Sequence, residues 1–99
     1  MERNEVLTSP EYWTTGTQID LYNQVLKYMG KTGMDEDQLR NYLSERLGVS
    51  KGYVSQLLNG DYDYRLSKFF ELALALGIIP VIDFVPIEDY IQSTDKLKE

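Results

Sequence analysis

The 99-residue chain contains no cysteine and no histidine. Without cysteine there can be no disulfide, no thiolate metal ligand and no thiol nucleophile. Without histidine the commonest general base and the commonest transition-metal ligand are both missing. No apolar run is long enough to cross a bilayer, and no signal peptide is evident. We therefore expect a cytoplasmic, single-domain protein that is not an enzyme, has no contact with a membrane and holds no metal or cofactor.

Positive charge is also scarce, since the formal net charge is -6 and the sequence pI is about 4.6. The acidic excess lies in the flanks of the chain. Residues 1–36 and residues 83–99 each carry a net charge of -3, whereas residues 37–82 are balanced. Between Arg46 and Asp61 the only charged residue is Lys51. This segment could face a polyanion, but few positive groups predict weak nonspecific affinity.

Two short helical patterns meet at a glycine within residues 43–60, LSERLGVSKGYVSQLLNG. Gly48 can take the left-handed conformation that ends a helix, and Ser50 can cap the next helix. Val49 before that cap and Val54 after it predict a hydrophobic staple. The pattern predicts a helix, a short turn and a second helix that crosses the first steeply. The inward-facing residues of this unit are Leu43, Leu47, Val54, Leu57 and Leu58.

The Leu-Gly-Val-Ser, Val-Ser and Leu-Asn-Gly words of this segment resemble the lambda-repressor-like, XRE-type family of DNA-binding proteins. The resemblance continues through Leu66–Gly77 and covers roughly half of the chain. It implies a compact helical domain that binds operator DNA as a dimer, either as a repressor or as an antitoxin that represses its own operon. Ser44 stands where many members have alanine, and Arg40 where many have glutamine. Serine is small enough to keep the tight helix crossing.

Helix signals flank this unit on both sides. Ser9 and Pro10 predict a helix start, and Gly16 allows a kink or a restart capped by Thr17. Asp35 with Gln38 predicts the capped start of the next helix. The apolar residues of the first helix, which fall near one face, are Tyr12, Ile19, Tyr22, Val25, Leu26 and Met29. The remaining helices are predicted at about Lys51–Leu58 and at Arg65–Leu76, the latter with a core face of Leu66, Phe69, Leu72, Ala73 and Leu76.

The carboxy-terminal part has a different pattern. Residues 78–85, IIPVIDFV, predict a strand, although Pro80 limits it to a sheet edge or a strand entry. A short helix follows at about Ile87–Gln92, with a charged, frayed tail. The predicted fold is thus mainly α, a lambda-repressor-like helix-turn-helix bundle of about four to five helices with one short C-terminal β-strand. The predicted parts are a flexible arm (1–8), a helix-turn-helix domain (9–77) and a dimerisation region (78–99).

The outward face of the second helix of the motif is short, polar and free of acids. Gln56 can bond bidentately to adenine in the major groove, and Gly52 lets the backbone approach closely. Lys51 can reach a phosphate or a guanine edge. The ordinary alternative for each side chain is simple solvation, and Ser50 and Asn59 are first of all helix-end residues. The predicted DNA-binding residues are Arg40, Ser50, Lys51, Gly52, Tyr53, Ser55, Gln56, Asn59, Arg65 and Lys68.

A single strand leaves its backbone groups unpaired, and pairing with a second copy across a two-fold axis would satisfy them. The alternatives are pairing with Val6 and Leu7 in the same chain, or an extended loop. The predicted dimerisation residues are Phe70, Leu74, Ile79, Val81, Ile82 and Phe84.

These features predict a sequence-specific transcriptional regulator that binds a double-stranded operator as a homodimer. A cognate toxin would be a further partner if the protein is an antitoxin. The competing hypothesis is a protein-interaction module that has the fold but does not bind DNA. Its support is the acidic net charge and four tyrosines near the motif, which suit a protein surface: Tyr42, Tyr53, Tyr62 and Tyr64.

Overall fold

The computed structural model describes residues 3–59 and 65–98, and side chains within residues 5–59 and 65–92. The described chain is mainly helical, as predicted. Helices account for all of its regular secondary structure, so the predicted strand at 78–85 is wrong. The six helices are α1 (Arg3–Leu7), α2 (Pro10–Thr32), α3 (Glu36–Leu47), α4 (Lys51–Leu58), α5 (Leu66–Ala75) and α6 (Ile87–Lys98).

The helix ends follow the local signals in the sequence. Asp35 accepts a hydrogen bond from the backbone N–H of Gln38 at 2.8 Å. The side chain of Gln38 in turn accepts one from the N–H of Asp35 at 2.9 Å, which completes a capping box. Gly33 and Gly48 end α2 and α3 in the left-handed conformation, with φ of 74° and 68°. The predicted starts and stops around the helix-turn-helix unit are therefore confirmed.

Helix α2 is one continuous helix of 23 residues, so Gly16 neither kinks nor restarts it. Its buried residues are Leu21 and Val25. The apolar face expected from the sequence lies mostly in solvent, because four of its members are exposed: Tyr12, Ile19, Tyr22 and Leu26. The helix thus contacts the core along a narrow line in its second half and leaves a second apolar face uncovered.

The core lies where α3, α4 and α5 meet. Five large side chains in it are at most 1% exposed: Leu39, Leu43, Val54, Leu57 and Leu72. Tyr42 links α3 to α5, since its hydroxyl donates to the carbonyl of Ala75 at 2.7 Å. Its ring stacks on Tyr28 of α2 at a centroid distance of 5.7 Å. Leu66, which we expected in the core face of α5, is 65% exposed instead.

The segment between α5 and α6 has no regular secondary structure. Pro80 and Pro86 cannot donate backbone hydrogen bonds, and the described chain offers this segment no neighbouring strand. Without such a partner, an apolar β-branched sequence stays extended but unpaired, which explains the missing strand. Within the described residues, Ile79, Val81 and Ile82 have no partner for their backbone N–H groups.

The amino-terminal segment and α6 meet beside the start of α2. The indole of Trp13 donates to the carbonyl of Leu7 at 2.8 Å, and its ring meets Tyr90 edge-on at 5.5 Å. The segment expected as a flexible arm therefore contains a short helix, Arg3–Leu7. Helix α6 continues to Lys98, past the end expected near Gln92.

The molecule is elongated, with extents of 45 × 24 × 22 Å. Its radius of gyration is 16.2 Å, whereas a compact domain of this length would have about 13 Å. No helix among the described residues has the length and apolar character needed to cross a membrane. The projecting amino-terminal half of α2 and the extended segment before α6 leave much apolar surface uncovered.

Candidate DNA-binding surface

The turn between α3 and α4 is held by a set of short hydrogen bonds around Ser44. The backbone N–H of Val49 donates to the carbonyl of Ser44 at 3.1 Å. The Ser44 hydroxyl donates in the other direction, to the carbonyl of Val49 at 2.5 Å. Gly48, between them, turns the chain at φ 68°. These bonds fix the direction in which the chain enters α4.

The start and the rotation of α4 are fixed by one polar and two apolar residues. Ser50 has extended backbone geometry, and its hydroxyl accepts a hydrogen bond from the N–H of Tyr53 at 3.1 Å. This confirms the predicted cap. Val54 and Leu57 are completely buried, so the side of α4 opposite them faces solvent. Leu58 is half-buried at the edge of the same apolar face.

The outward face of α4 carries most of the predicted DNA-binding residues. Lys51, Ser55 and Gln56 are exposed, and within the described residues their side chains make neither an ion pair nor a hydrogen bond. Gly52 and Asn59 are exposed on the same helix, whereas Tyr53 is half-buried. This face thus offers one amine, one amide and one hydroxyl that the fold itself does not use.

Gly52 has no structural reason to be glycine inside this protomer. A Cβ at this position would have its nearest neighbour at 3.9 Å, the Ser50 hydroxyl oxygen, which is an ordinary contact. Its backbone is helical, so no unusual conformation requires glycine either. The missing side chain leaves an open approach to the backbone at the first turn of α4.

The other predicted basic residues differ in how far the fold already occupies them. Arg40 is paired with Asp37 and lies 3.9 Å from Glu36, both on its own helix. Lys68 is 3.0 Å from Glu71 on α5. Exposed pairs of this kind contribute little, about 0–1 kcal/mol, so a phosphate could replace the carboxylates.

Arg65 is exposed at the start of α5, where it makes no side-chain cap. Of the ten predicted residues, Lys51 and Arg65 are the cations without an acidic partner in the described part of the chain. Tyr62 and Tyr64, two of the four tyrosines near the motif, lie outside the described residues.

Two positioning residues were not identified as such from the sequence. The sequence predicts for Ser44 only a small side chain, whereas its hydroxyl holds the turn. The sequence favours a protein-binding surface for Tyr42, whereas its hydroxyl joins α3 to α5. A serine five residues before an inward-facing turn valine was the available signal for the first. No sequence signal pointed from Tyr42 to a carbonyl 33 residues away.

A buried helix crossed at a glycine turn by a second, capped helix with a polar outward face defines a helix-turn-helix domain. Residues 38–84 match the model of the family described as Helix-turn-helix, which is nearly half of the chain. This segment belongs to the XRE-type, lambda-repressor-like helix-turn-helix family, which confirms the resemblance. The family is one of DNA-binding regulatory proteins. No curated protein and no solved structure matches the chain significantly.

Proposed function

We propose that the protein is a transcriptional regulator that binds operator DNA as a homodimer, with α4 in the major groove. It acts by occupying its operator, as a repressor or as an antitoxin that represses its own operon. The observation that carries the proposal is the outward face of α4. There Lys51, Ser55 and Gln56 are exposed and have no partner among the described residues.

Gln56 is the residue proposed to contact a base edge. A glutamine amide can donate and accept at once, and it matches N6 and N7 of adenine in the major groove. Helix α4 has eight residues and is therefore about 12 Å long, which is close to the groove width. Because Val54 and Leu57 hold α4 from behind, Gln56 would meet DNA on a rigid element.

The phosphate contacts are proposed to come from the starts of α4 and α5. Lys51 lies at the positive end of α4, and Arg65 lies directly before α5, so each adds its charge to that of a helix end. Arg40 and Lys68 would join by exchanging their carboxylate partners for phosphate. That exchange gains less than a contact from an unpaired cation, because the existing pairs must be given up.

The homodimer is proposed to use the carboxy-terminal surface. Leu74, Ile79, Val81 and Phe84 are 56–90% exposed. The unpaired backbone of this segment and its apolar side chains would both be covered by a second copy. Two recognition helices related by a two-fold axis would match two half-sites.

The competing function is a protein-interaction module. The net charge of -6 and the exposed Val81 and Phe84 favour it, since acidic proteins repel DNA and uncovered apolar surface favours protein partners. An antitoxin would combine both functions, with α4 on DNA and an apolar surface on its toxin.

Titration of the protein into DNA from upstream of its own gene, followed by fluorescence anisotropy, tests the proposal. A scrambled duplex of equal length and composition is the control. We expect tighter binding to the upstream DNA at moderate salt, where nonspecific contacts weaken. Equal binding to both duplexes at every salt concentration would refute sequence-specific regulation through this DNA and favour the interaction module.

A further inference from the structure

The uncovered face of α2 has the spacing of a helix-pairing surface. We call Tyr12, Ile19, Tyr22 and Leu26 the outer face of α2; these residues are 45–56% exposed. With Thr15 they repeat at alternating steps of three and four residues, the pattern by which two helices pack along a shared seam. The helix is 23 residues long, or about 34 Å. This face is separate from Leu21 and Val25, which already contact the core.

Two glycines on the same side of α2 have no contact among the described residues that requires glycine. Gly16 and Gly30 are fourteen residues apart with Asn23 midway, so all three lie on one edge of the outer face, about four turns from end to end. A Cβ at either glycine would meet nothing within 4 Å. Glycine inside a helix costs up to about 1 kcal/mol relative to alanine. Close approach of another helix would give these glycines a use.

The charges beside this edge are complementary only when the two helices are antiparallel. Asp20 and Lys27 are exposed and flank Asn23 at almost equal distances along the helix. In an antiparallel pair centred near Asn23, each Asp20 would face Lys27 of the other copy, and Gly16 would face Gly30. In a parallel pair, by contrast, Asp20 and Lys27 of the two copies would lie on opposite sides of the seam and would not meet.

From these three observations we propose that the outer face of α2 packs antiparallel against the same face of a second copy of this chain. A second copy is favoured over a different protein because the small residues and the two opposite charges are self-complementary. A two-fold axis near Asn23 brings Gly16 opposite Gly30, Asp20 opposite Lys27 and Tyr22 close to Leu26 of the other copy, whereas Tyr12 lies beyond the end of the partner helix. The proposal does not depend on DNA binding.

The first test is the mass of the assembly by sedimentation at high micromolar concentration. If α2 alone associates, the wild type is a dimer. If the carboxy-terminal surface associates as well, it is a tetramer. Ile19→Glu places a charge at the centre of the seam and halves the mass in either case. An unchanged mass, or a monomeric wild type, would overturn the proposal.

The two association surfaces can be separated. Val81→Glu is the matched control, because Val81 is an exposed aliphatic residue on the carboxy-terminal segment. It breaks the dimer contact of the proposed function and leaves the α2 contact intact. If Ile19→Glu halves the mass of the assembly and Val81→Glu does not, the α2 contact is supported and the carboxy-terminal contact is refuted. If only Val81→Glu halves the mass, the carboxy-terminal contact is supported and the α2 contact is refuted.

The second test uses the absence of native cysteine. Asn23→Cys should be linked to a second copy by a short bis-thiol reagent, whereas Glu45→Cys, an exposed control on α3 outside both proposed contacts, should not. Equal linking of the two variants would overturn the proposal. Circular dichroism of both variants verifies that the helices remain formed.

The direction of the pair is tested by exchanging charges. Asp20→Lys should weaken association several-fold at low salt, and adding Lys27→Asp to the same chain should restore it. Restoration requires that position 20 of one copy faces position 27 of the other. If the double variant is as weak as the single one, the antiparallel arrangement is wrong.

Discussion

At the residue scale, the side chains proposed for DNA binding differ from those that hold the motif together. Ser44 and Ser50 use their hydroxyls on the backbone of the turn and of α4. The side chains of Gln56 and Lys51 make no hydrogen bond or ion pair within the described chain. Removing an unused exposed side chain should leave stability unchanged, within about 0.5 kcal/mol. Loss of DNA binding in such variants can therefore be assigned to a lost contact.

Gln56→Ala is expected to weaken operator binding by about 1–3 kcal/mol and to relax the preference at one base pair. The physical reason is the loss of a paired donor and acceptor at one base edge. Anisotropy titrations against the operator and its single-base variants measure both effects. Gln92→Ala, an exposed glutamine on α6, is the control and should behave as wild type. Unchanged affinity and base preference in Gln56→Ala would place a different surface on DNA.

Lys51→Ala is expected to act differently, because a phosphate contact carries no sequence information. It should weaken binding to all duplexes alike and lower the slope of log affinity against log salt by about one. Lys31→Ala, an exposed lysine at the end of α2, is the matched control. A base-specific loss in Lys51→Ala would instead assign Lys51 to a guanine edge.

At the element scale, helices with strong local signals were predictable and the packing of their faces was not. Lys51–Leu58 was predicted with its observed ends, because Ser50 and the Asn59 C-cap act locally. The strand at 78–85 failed because a strand needs a second strand, which its own sequence cannot specify. The exposure of the outer face of α2 was not predictable either, since periodicity shows that a face is apolar but not whether the same chain covers it.

The outward side of α4 was predictable for a related reason. Val54 and Leu57 define the inner side by spacing alone, and both are fully buried. The ion pairs of Arg40 and Lys68 were not anticipated, although Glu36, Asp37 and Glu71 lie three or four residues away on the same helices. Which residues face outward thus follows from the sequence, whereas which of them lack an acidic partner depends on the folded structure.

Two glycines of the motif provide a matched test of the turn. Gly48→Ala puts a Cβ into the left-handed conformation at φ 68° and should lower the free energy of unfolding by about 1–2 kcal/mol. Gly52→Ala lies in helical backbone with open space and should raise it by up to about 1 kcal/mol. Urea denaturation measures both. If the two variants shift stability equally, Gly48 does not hold the turn.

Gly52→Ala should also weaken DNA binding if the α4 backbone approaches the duplex closely, because the new methyl group occupies that space. If the variant is more stable and yet binds DNA more weakly, the weaker binding results from a changed DNA contact and not from a loss of folding. Unchanged binding would mean that the first turn of α4 stays clear of DNA.

At the scale of the whole molecule, acidic flanks surround a motif that contains few cations. The excess acid at both ends should reduce nonspecific attraction to DNA. Near α4 the cations without an acidic partner in the described chain, among those predicted to bind DNA, are Lys51 and Arg65. Specific binding must therefore depend more on matched contacts than on charge.

A shallow salt dependence follows from this charge distribution. Affinity for the operator should fall with salt as expected for roughly three to five phosphates neutralised per subunit. Titrations across a range of potassium chloride concentrations measure the slope. Arg40 and Lys68 contribute fully to this slope only if they break their ion pairs with acidic residues. Glu71→Gln removes the partner of Lys68 and should therefore make the slope steeper. A much steeper wild-type slope would indicate a larger basic surface than the described residues provide.

Phe84 provides a test of the proposed carboxy-terminal dimer. Phe84 is 90% exposed, so Phe84→Asp should leave the free energy of unfolding of the protomer nearly unchanged. If Phe84 lies in the contact between two copies, the charge would be buried there without a partner, and the contact should be lost. Binding to a two-half-site operator should then fall to the level of a single half-site, as measured by anisotropy with matched full and half operators. Asp83→Asn is the control, because it changes the residue next to Phe84 and leaves the apolar surface unchanged. If Phe84→Asp still distinguishes full from half operators as wild type does, the two DNA-binding helices are joined through another surface, and the outer face of α2 becomes the candidate.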